Sequence, residues 1–210
     1  MWTRLDFPAL PTLVWSDDAG RGAAVPVLFL HGMGERGTDG WGALRHGLPT
    51  VLPARPPRPM RVVVPQCPPD CRWGDRLAEL AGLLDAMRID RLTVAGFSMG
   101  GQGVWAFAAN HPDRVARLAP VSGRLPAGMP ASDLASCLPQ VPTWVIHGAR
   151  DESVPVTESD AAVAALRALG RPATFTRYER LGHMPTCEKA YADDEYLAWL
   201  AATESSESGA

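Results

Sequence analysis

Ser98 lies in Gly96-Phe97-Ser98-Met99-Gly100, directly after the apolar run 92–95 and ahead of a helix-compatible stretch that continues through Ala109. A serine placed this way can act as a nucleophile. The strand-to-helix turn holds it strained at the apex, and flanking glycines remove the Cβ atoms that would clash. The N–H groups of the following helix then face any negative charge that develops beside it. The competing reading is a glycine-rich turn of no catalytic use, and context and partners decide between the two. A serine hydroxyl is a weak nucleophile. It needs a base, and the base needs an orienting acid.

On an elbow of this type the partners follow in the order serine, acid, histidine. Asp151 comes just after the apolar run 143–147, in His147-Gly148-Ala149-Arg150-Asp151, and His183 comes after the run 174–178, in Leu181-Gly182-His183. Both fall in loops at the carboxyl ends of expected strands, where open sheets build their sites. Glu152 adjoins Asp151 and is the alternative acid, with a longer side chain that fits the register less well. Asp160 reads as a helix cap. Among the other histidines, His31 reads as a structural hydrogen-bonder, His147 precedes the acid, and His46 and His111 fall on helical stretches and read as solvated. The order therefore favours Ser98, Asp151 and His183.

Acyl transfer also needs two preorganised N–H donors, and losing one typically costs on the order of 3 kcal/mol of transition-state stabilisation. The loop His31-Gly32-Met33-Gly34-Glu35-Arg36-Gly37 follows the expected strand 25–30 and is placed to supply the first. The residue after the nucleophile supplies the second. We expect these donors to be the backbone N–H groups of Met33 and Met99. A phosphate loop is excluded, because no G-K-[ST] follows the glycines. Trp73 is weighed equally as a side chain overhanging the site and as ordinary loop packing. Phe97, Met184, Met33 and Met99 are the other candidates for an apolar substrate wall.

The elements that must position these residues alternate. Runs 25–30, 61–64, 92–95, 117–121, 143–147 and 174–178 read as strands, several of them apolar throughout, as when helices cover both faces of a parallel sheet. Residues 76–88 place Leu77, Leu80, Leu84 and Met87 on one helical face. Residues 157–169 read as a helix with Thr157 as N-cap and Gly170 just past its end. Residues 41–52 form a weaker helix, interrupted by Gly47 and Pro49, and a last helix ends near Trp199 and Leu200. The pattern predicts one doubly wound α/β domain over 1–202, with 203–210 a frayed Ser/Glu-rich tail. The proline-rich 53–59 reads as a loop. The stretch 123–142 reads as the longest irregular segment, room for a small flap and too short for a lid domain.

Composition narrows the partners. The chain has 210 residues, 46% hydrophobic and 20% charged, with a formal charge of −3, which fits one globular domain. There is no Lys/Arg run to track a phosphate backbone, so nucleic acid is not expected. Met1 to Ala9 carries no apolar core of a secretory signal, and no segment approaches a transmembrane helix in length. Four cysteines imply no disulfide framework, and Cys67 and Cys71, a lone C-x3-C, read as free thiols or one local disulfide rather than half a zinc site. A cytoplasmic location and a small-molecule substrate are the expectation.

Leu30 to Gly37, Pro65-Gln66-Cys67-Pro68, Gly96 to Gly101, His147 to Asp151, Gly182-His183 and Ala190-Tyr191-Ala192-Asp193 occur in that order. Together they resemble the phospholipase/carboxylesterase-like branch of the α/β-hydrolases, in particular the group described as predicted peptidases or polyhydroxybutyrate-depolymerase-like esterases. The resemblance spans roughly residues 25 to 200. It implies an α/β-hydrolase fold with a minimal lid, a Ser98–Asp151–His183 triad, hydrolysis of carboxylic esters and no cofactor. Relatives often carry further N-terminal strands, and only some 25 residues precede the oxyanion loop here, so a sheet shortened at that edge is expected. Acyl-protein thioesterases tend to have Gln where this chain has Met99, and dienelactone hydrolases use Cys where it has Ser98.

Overall fold

The computed structural model describes residues 1–7, 9–16, 26–54 and 60–202. The expected tail 203–210, most of the proline-rich loop and the first residue of the expected strand 25–30 lie outside them. Eight strands form one sheet: β1 (Trp2–Leu5), β2 (Thr12–Ser16), β3 (Val27–Leu30), β4 (Arg61–Pro65), β5 (Leu92–Phe97), β6 (Val115–Val121), β7 (Thr143–Gly148) and β8 (Ala173–Tyr178). Their order is β1-β2-β4-β3-β5-β6-β7-β8. From β4 onward every neighbouring pair is parallel, whereas β1 and β2 run antiparallel.

The largely apolar runs of β3 to β7 follow from this topology, because helices cover both faces there and these strands bury both sets of side chains. Successive residues part to opposite faces. Leu28 and Leu30 join a core with Val63, Val94, Leu118 and Val145. That core is closed by α2 (Leu77–Ala86), α3 (Met99–Asn110) and α5 (Thr157–Ala168). Val27 and Phe29 face the other way, to Val62, Ala95, Ala119 and Ile146. Tyr191, Tyr196, Leu197 and Leu200, from α6 (His183–Tyr191) and α7 (Asp194–Leu200), close this second core.

Several expectations are corrected. The sheet is not shortened at its N-terminal edge: β2 pairs with β4 over five residues and buries Thr12 and Leu13, and β1 pairs outside it with Trp2 edge-on to Trp15 at 5.4 Å. Residues 41–52 are not one helix. They form a 3-10 turn at Trp41–Leu44 and a single turn α1 (Leu48–Val51), parted by Gly47 at φ +74°. A side chain is excluded at Gly47 twice over, since a Cβ there would also lie 2.6 Å from Phe29 Cζ. The stretch 123–142 contains α4 (Ala131–Cys137). Thr157 is the first residue inside α5 rather than its cap, and Val156 precedes it with no side-chain bond. Asp160 pairs with Arg177 at 3.1 Å instead of capping. Gly170 does take the left-handed conformation expected past a helix end, at φ +67°. Among the described residues no helix is long and apolar enough to cross a membrane.

Candidate active site

Strand β5 runs straight into α3 through one residue. Ser98 caps that helix at φ 58° and ψ −117°, a left-handed conformation that a non-glycine residue adopts only where its surroundings hold it. The surroundings are specific. Ser98 N–H donates to Val121 O of β6 at 2.9 Å, and Ser98 O accepts from Gln102 N–H at 3.0 Å. A Cβ on Gly100 would sit 1.8 Å from Leu30 O, and one on Gly96 2.5 Å from the Gly100 backbone. The glycines therefore let α3 approach β3 closely enough to lift the Ser98 hydroxyl into the cleft above the sheet.

Two loops bring the partners. His183, the first residue of α6, places Nε2 2.8 Å from Ser98 Oγ. Its Nδ1 lies 2.6 Å from Asp151 Oδ2, on the loop after β7. A carboxylate only accepts, so Nδ1 carries the proton and Nε2 is free to accept from the serine. Asp151 Oδ1 takes the N–H groups of Ser153 (2.9 Å) and Val154 (2.8 Å). Burial alone would raise the Asp151 carboxyl, but the His183 bond and these two N–H groups outweigh it and hold it below the ordinary carboxylate value. Glu152 is exposed. The Phe97 ring lies 4.6 Å from the His183 ring at 37° and restrains its tilt.

Other histidines support this frame. His147 is fully buried and lowered in basicity chiefly by that burial. Its Nδ1 meets Ser159 Oγ at 2.7 Å, and its Nε2 lies 3.0 Å from Val154 O and 3.3 Å from Asp151 Oδ2. His31 is buried too, and burial brings it down to about 4. Nδ1 of its neutral ring donates to Gly32 O at 2.6 Å, and Nε2 accepts Cys67 N–H at 3.0 Å. His31 thus ties the loop after β3 to the loop after β4. Arg36 adds a second tie, donating to Met33 O (3.2 Å) and Cys71 O (3.4 Å).

The braced loop opens the 3-10 turn Met33–Glu35. Met33 and Met99 are each the first residue of a helical turn, where an N–H has no acceptor within the helix. Neither N–H meets another backbone acceptor among the described residues. Both residues line the cleft with Ser98 and His183, as do Phe97 and Met184. The cleft has a volume of about 690 Å³. Trp73 does not overhang it. That residue is fully buried, donates from Nε1 to His31 O at 2.9 Å and packs edge-on against the His31 ring at 4.9 Å, so its place is beneath the loop after β3.

The cleft also holds residues that pattern reading did not single out as site residues. Glu35 is 6% exposed and bonds His46 Nδ1 at 2.7 Å. His46 is exposed, as expected, and also lines the cleft as half of an acid–imidazole pair. Glu35 stands in the glycine loop already marked as chemical, so its position was a signal. Arg72, Gln102 and Arg124 line the wall from three separate elements, with no spacing to announce them. All four cysteines are free thiols, and Cys71 Sγ accepts from Arg76.

Comparison with known proteins places this geometry. A 2-hydroxy-6-oxononadienedioate/2-hydroxy-6-oxononatrienedioate hydrolase from Paraburkholderia xenovorans is 36% identical over 117 residues, covering 51% of this chain and 38% of the relative. A 2-hydroxy-6-oxo-2,4-heptadienoate hydrolase from Pseudomonas putida is 38% identical over 107 residues, covering 46% and 37%. The matched segment thus spans well under half the length of these curated relatives. In structure, a thermostable esterase superposes with a TM-score of 0.79 at 24% identity, over 95% of this chain and 62% of the other. Est1E from Butyrivibrio proteoclasticus superposes at 0.69 and 15% identity, over 96% and 99%. The sequence profile of the alpha/beta hydrolase fold matches residues 74–197, and with more than half its length inside that profile the chain belongs to the alpha/beta hydrolase fold family.

Proposed function

We propose that this protein is a serine hydrolase of carboxylic esters, working through Ser98, His183 and Asp151 by way of an acyl-enzyme. The observation that carries the reading is the unbroken hydrogen-bonded line from Asp151 Oδ2 through both nitrogens of His183 to Ser98 Oγ. His183 Nε2 takes the hydroxyl proton as Ser98 Oγ attacks the ester carbonyl. Asp151 keeps the imidazole in the acceptor tautomer and stabilises its cationic form. The oxyanion settles on the N–H groups of Met33 and Met99. The alcohol leaves with the proton from His183, and water then enters by the same route to release the acid.

The cleft favours small acyl groups. Between β6 and β7 the chain carries the seven-residue α4 and no larger insertion, so this connection puts no broad apolar cover over the serine. Thioesters and peptides would use the same groups. A second reading comes from the curated relatives, whose names describe keto acids without an ester. Hydrolysis beside a ketone carbonyl would need the same nucleophile and oxyanion donors.

The test is hydrolysis of p-nitrophenyl esters from acetate to palmitate by wild type and Ser98→Ala, with a fluorophosphonate probe in parallel. Short-chain turnover that disappears in Ser98→Ala is the expected result. Labelling at Ser98 without turnover at any length would shift the assignment to thioesters, peptides or keto acids. Neither labelling nor turnover would leave a non-catalytic binding protein.

A further inference from the structure

The cleft over Ser98 continues past the groups that perform hydrolysis. A second cavity of about 690 Å³ opens beside it, and the two share Arg72, Gln102 and Arg124 as common wall. Arg72 immediately precedes the 3-10 turn Trp73–Arg76, Gln102 lies one turn into α3, and Arg124 stands three residues past β6. The seam is braced. Gln102 Nε2 donates to Leu125 O at 3.0 Å, and Arg124 Nη2 donates to Ser153 O at 2.9 Å.

Charge sets this seam apart. Among the described residues, neither guanidinium has a carboxylate within 4 Å. The two acids in the second cavity each accept a backbone N–H of its wall: Asp75 from Arg72 at 2.9 Å, and Glu158 from Leu125 at 3.0 Å. Glu35, the acid of the first cleft, is bonded to His46. Two like charges thus border one cavity seam, and although Asp75 and Glu158 line the second cavity with them, neither carboxylate lies within ion-pairing distance of either guanidinium among the described residues. A guanidinium presents five N–H donors in a planar fork matched to a carboxylate.

The direction follows from the chemistry. His183 hands its proton to the departing alcohol, so the alcohol lies on the His183–Met184 side. The acyl chain then runs along α3 toward Gln102, about 6 Å of helix rise beyond Ser98. We propose that Arg72, Gln102 and Arg124 form an anion subsite selecting esters whose acyl group ends in a carboxylate, that is, half-esters of dicarboxylic acids. This rests on the ester-hydrolase reading above and adds its substrate class.

Monoethyl adipate and ethyl hexanoate have acyl chains of the same length and differ at the far end, so the ratio of their kcat/KM values isolates the anion. Both arginines are exposed, so at fixed low ionic strength that ratio should favour the half-ester by about three- to tenfold, the size of two solvent-screened ion pairs. It should fall toward one in Arg72→Gln/Arg124→Gln, through KM. A wild-type ratio near one, or a ratio the double variant leaves in place, overturns the subsite. A preference for 6-acetoxyhexanoate over hexyl acetate that needs the same arginines overturns its acyl-side placement. Calorimetric binding of monoethyl adipate to Ser98→Ala separates this inference from the reaction. Arginine-dependent binding without wild-type turnover of either ester sinks the esterase reading and keeps the subsite, whereas no arginine-dependent binding sinks the subsite whatever the turnover.

Discussion

At the scale of single residues, the site is a matter of which atoms can hold a proton. Asp151 accepts three hydrogen bonds, from His183 and the N–H groups of Ser153 and Val154. Asp151→Asn would keep the shape but present an N–H to His183, favouring the tautomer that cannot accept from Ser98. The expected result is a kcat lower by on the order of 10⁴ with KM little changed, read from steady-state kinetics on a short-chain ester. Glu152→Gln, one residue along and exposed, should retain wild-type kcat. Reversal of these two results would move the acid to Glu152. That Ser98, Asp151 and His183 come within hydrogen-bond reach was expected from the sequence, because they follow the runs 92–95, 143–147 and 174–178 in the required order. The buried Trp73 was not, because its partner is the backbone carbonyl of His31, 42 residues away, and no local pattern encodes that meeting.

At the scale of elements, legibility tracks burial. The parallel strands read within two residues of their described bounds, since strands covered on both faces are mostly apolar, with buried exceptions such as Thr93, Arg117 and His147. β1 was missed because it is a four-residue edge strand with none of its residues fully buried. α4 was missed because only Leu134 and Ala135 of its seven residues are buried. The break in 41–52 has a single cause that can be tested. Gly47 combines a positive φ with contact against Phe29, so Gly47→Ala should destabilise by about 1–3 kcal/mol through backbone strain and overpacking. Urea unfolding measures this. An unchanged midpoint would mean that the turn relaxes freely and that α1 does not depend on it.

At the scale of the whole molecule, the topology makes one cleft from distant loops. β3 and β5 are neighbours in the sheet although β4 lies between them in sequence, so the loop with Met33 and the elbow with Ser98 open side by side. The same arrangement buries imidazoles beneath the site, and this links stability to pH. His31 has its folded value lowered to about 4 from 6.5, first by burial and further by Arg36, against the opposing Gly32 carbonyl and Glu35. A group depressed in this way leaves stability intact above the unfolded value and removes it as pH falls toward the folded one, because the unfolded chain binds the proton first. Between pH 6.5 and 4, His31 should therefore cost the fold up to about 3 kcal/mol, with His147 acting in the same direction. Asp151, also depressed, adds its own loss only below the ordinary carboxylate value. The comparison is the urea midpoint at pH 7.5 and pH 5 for wild type and His31→Gln. The variant can start lower, since it loses the ties to Gly32 and Cys67, but its midpoint should fall less between the two pH values. An equal fall in both proteins would place the acid sensitivity in other groups and leave His31 as a tether of the loop after β3 alone.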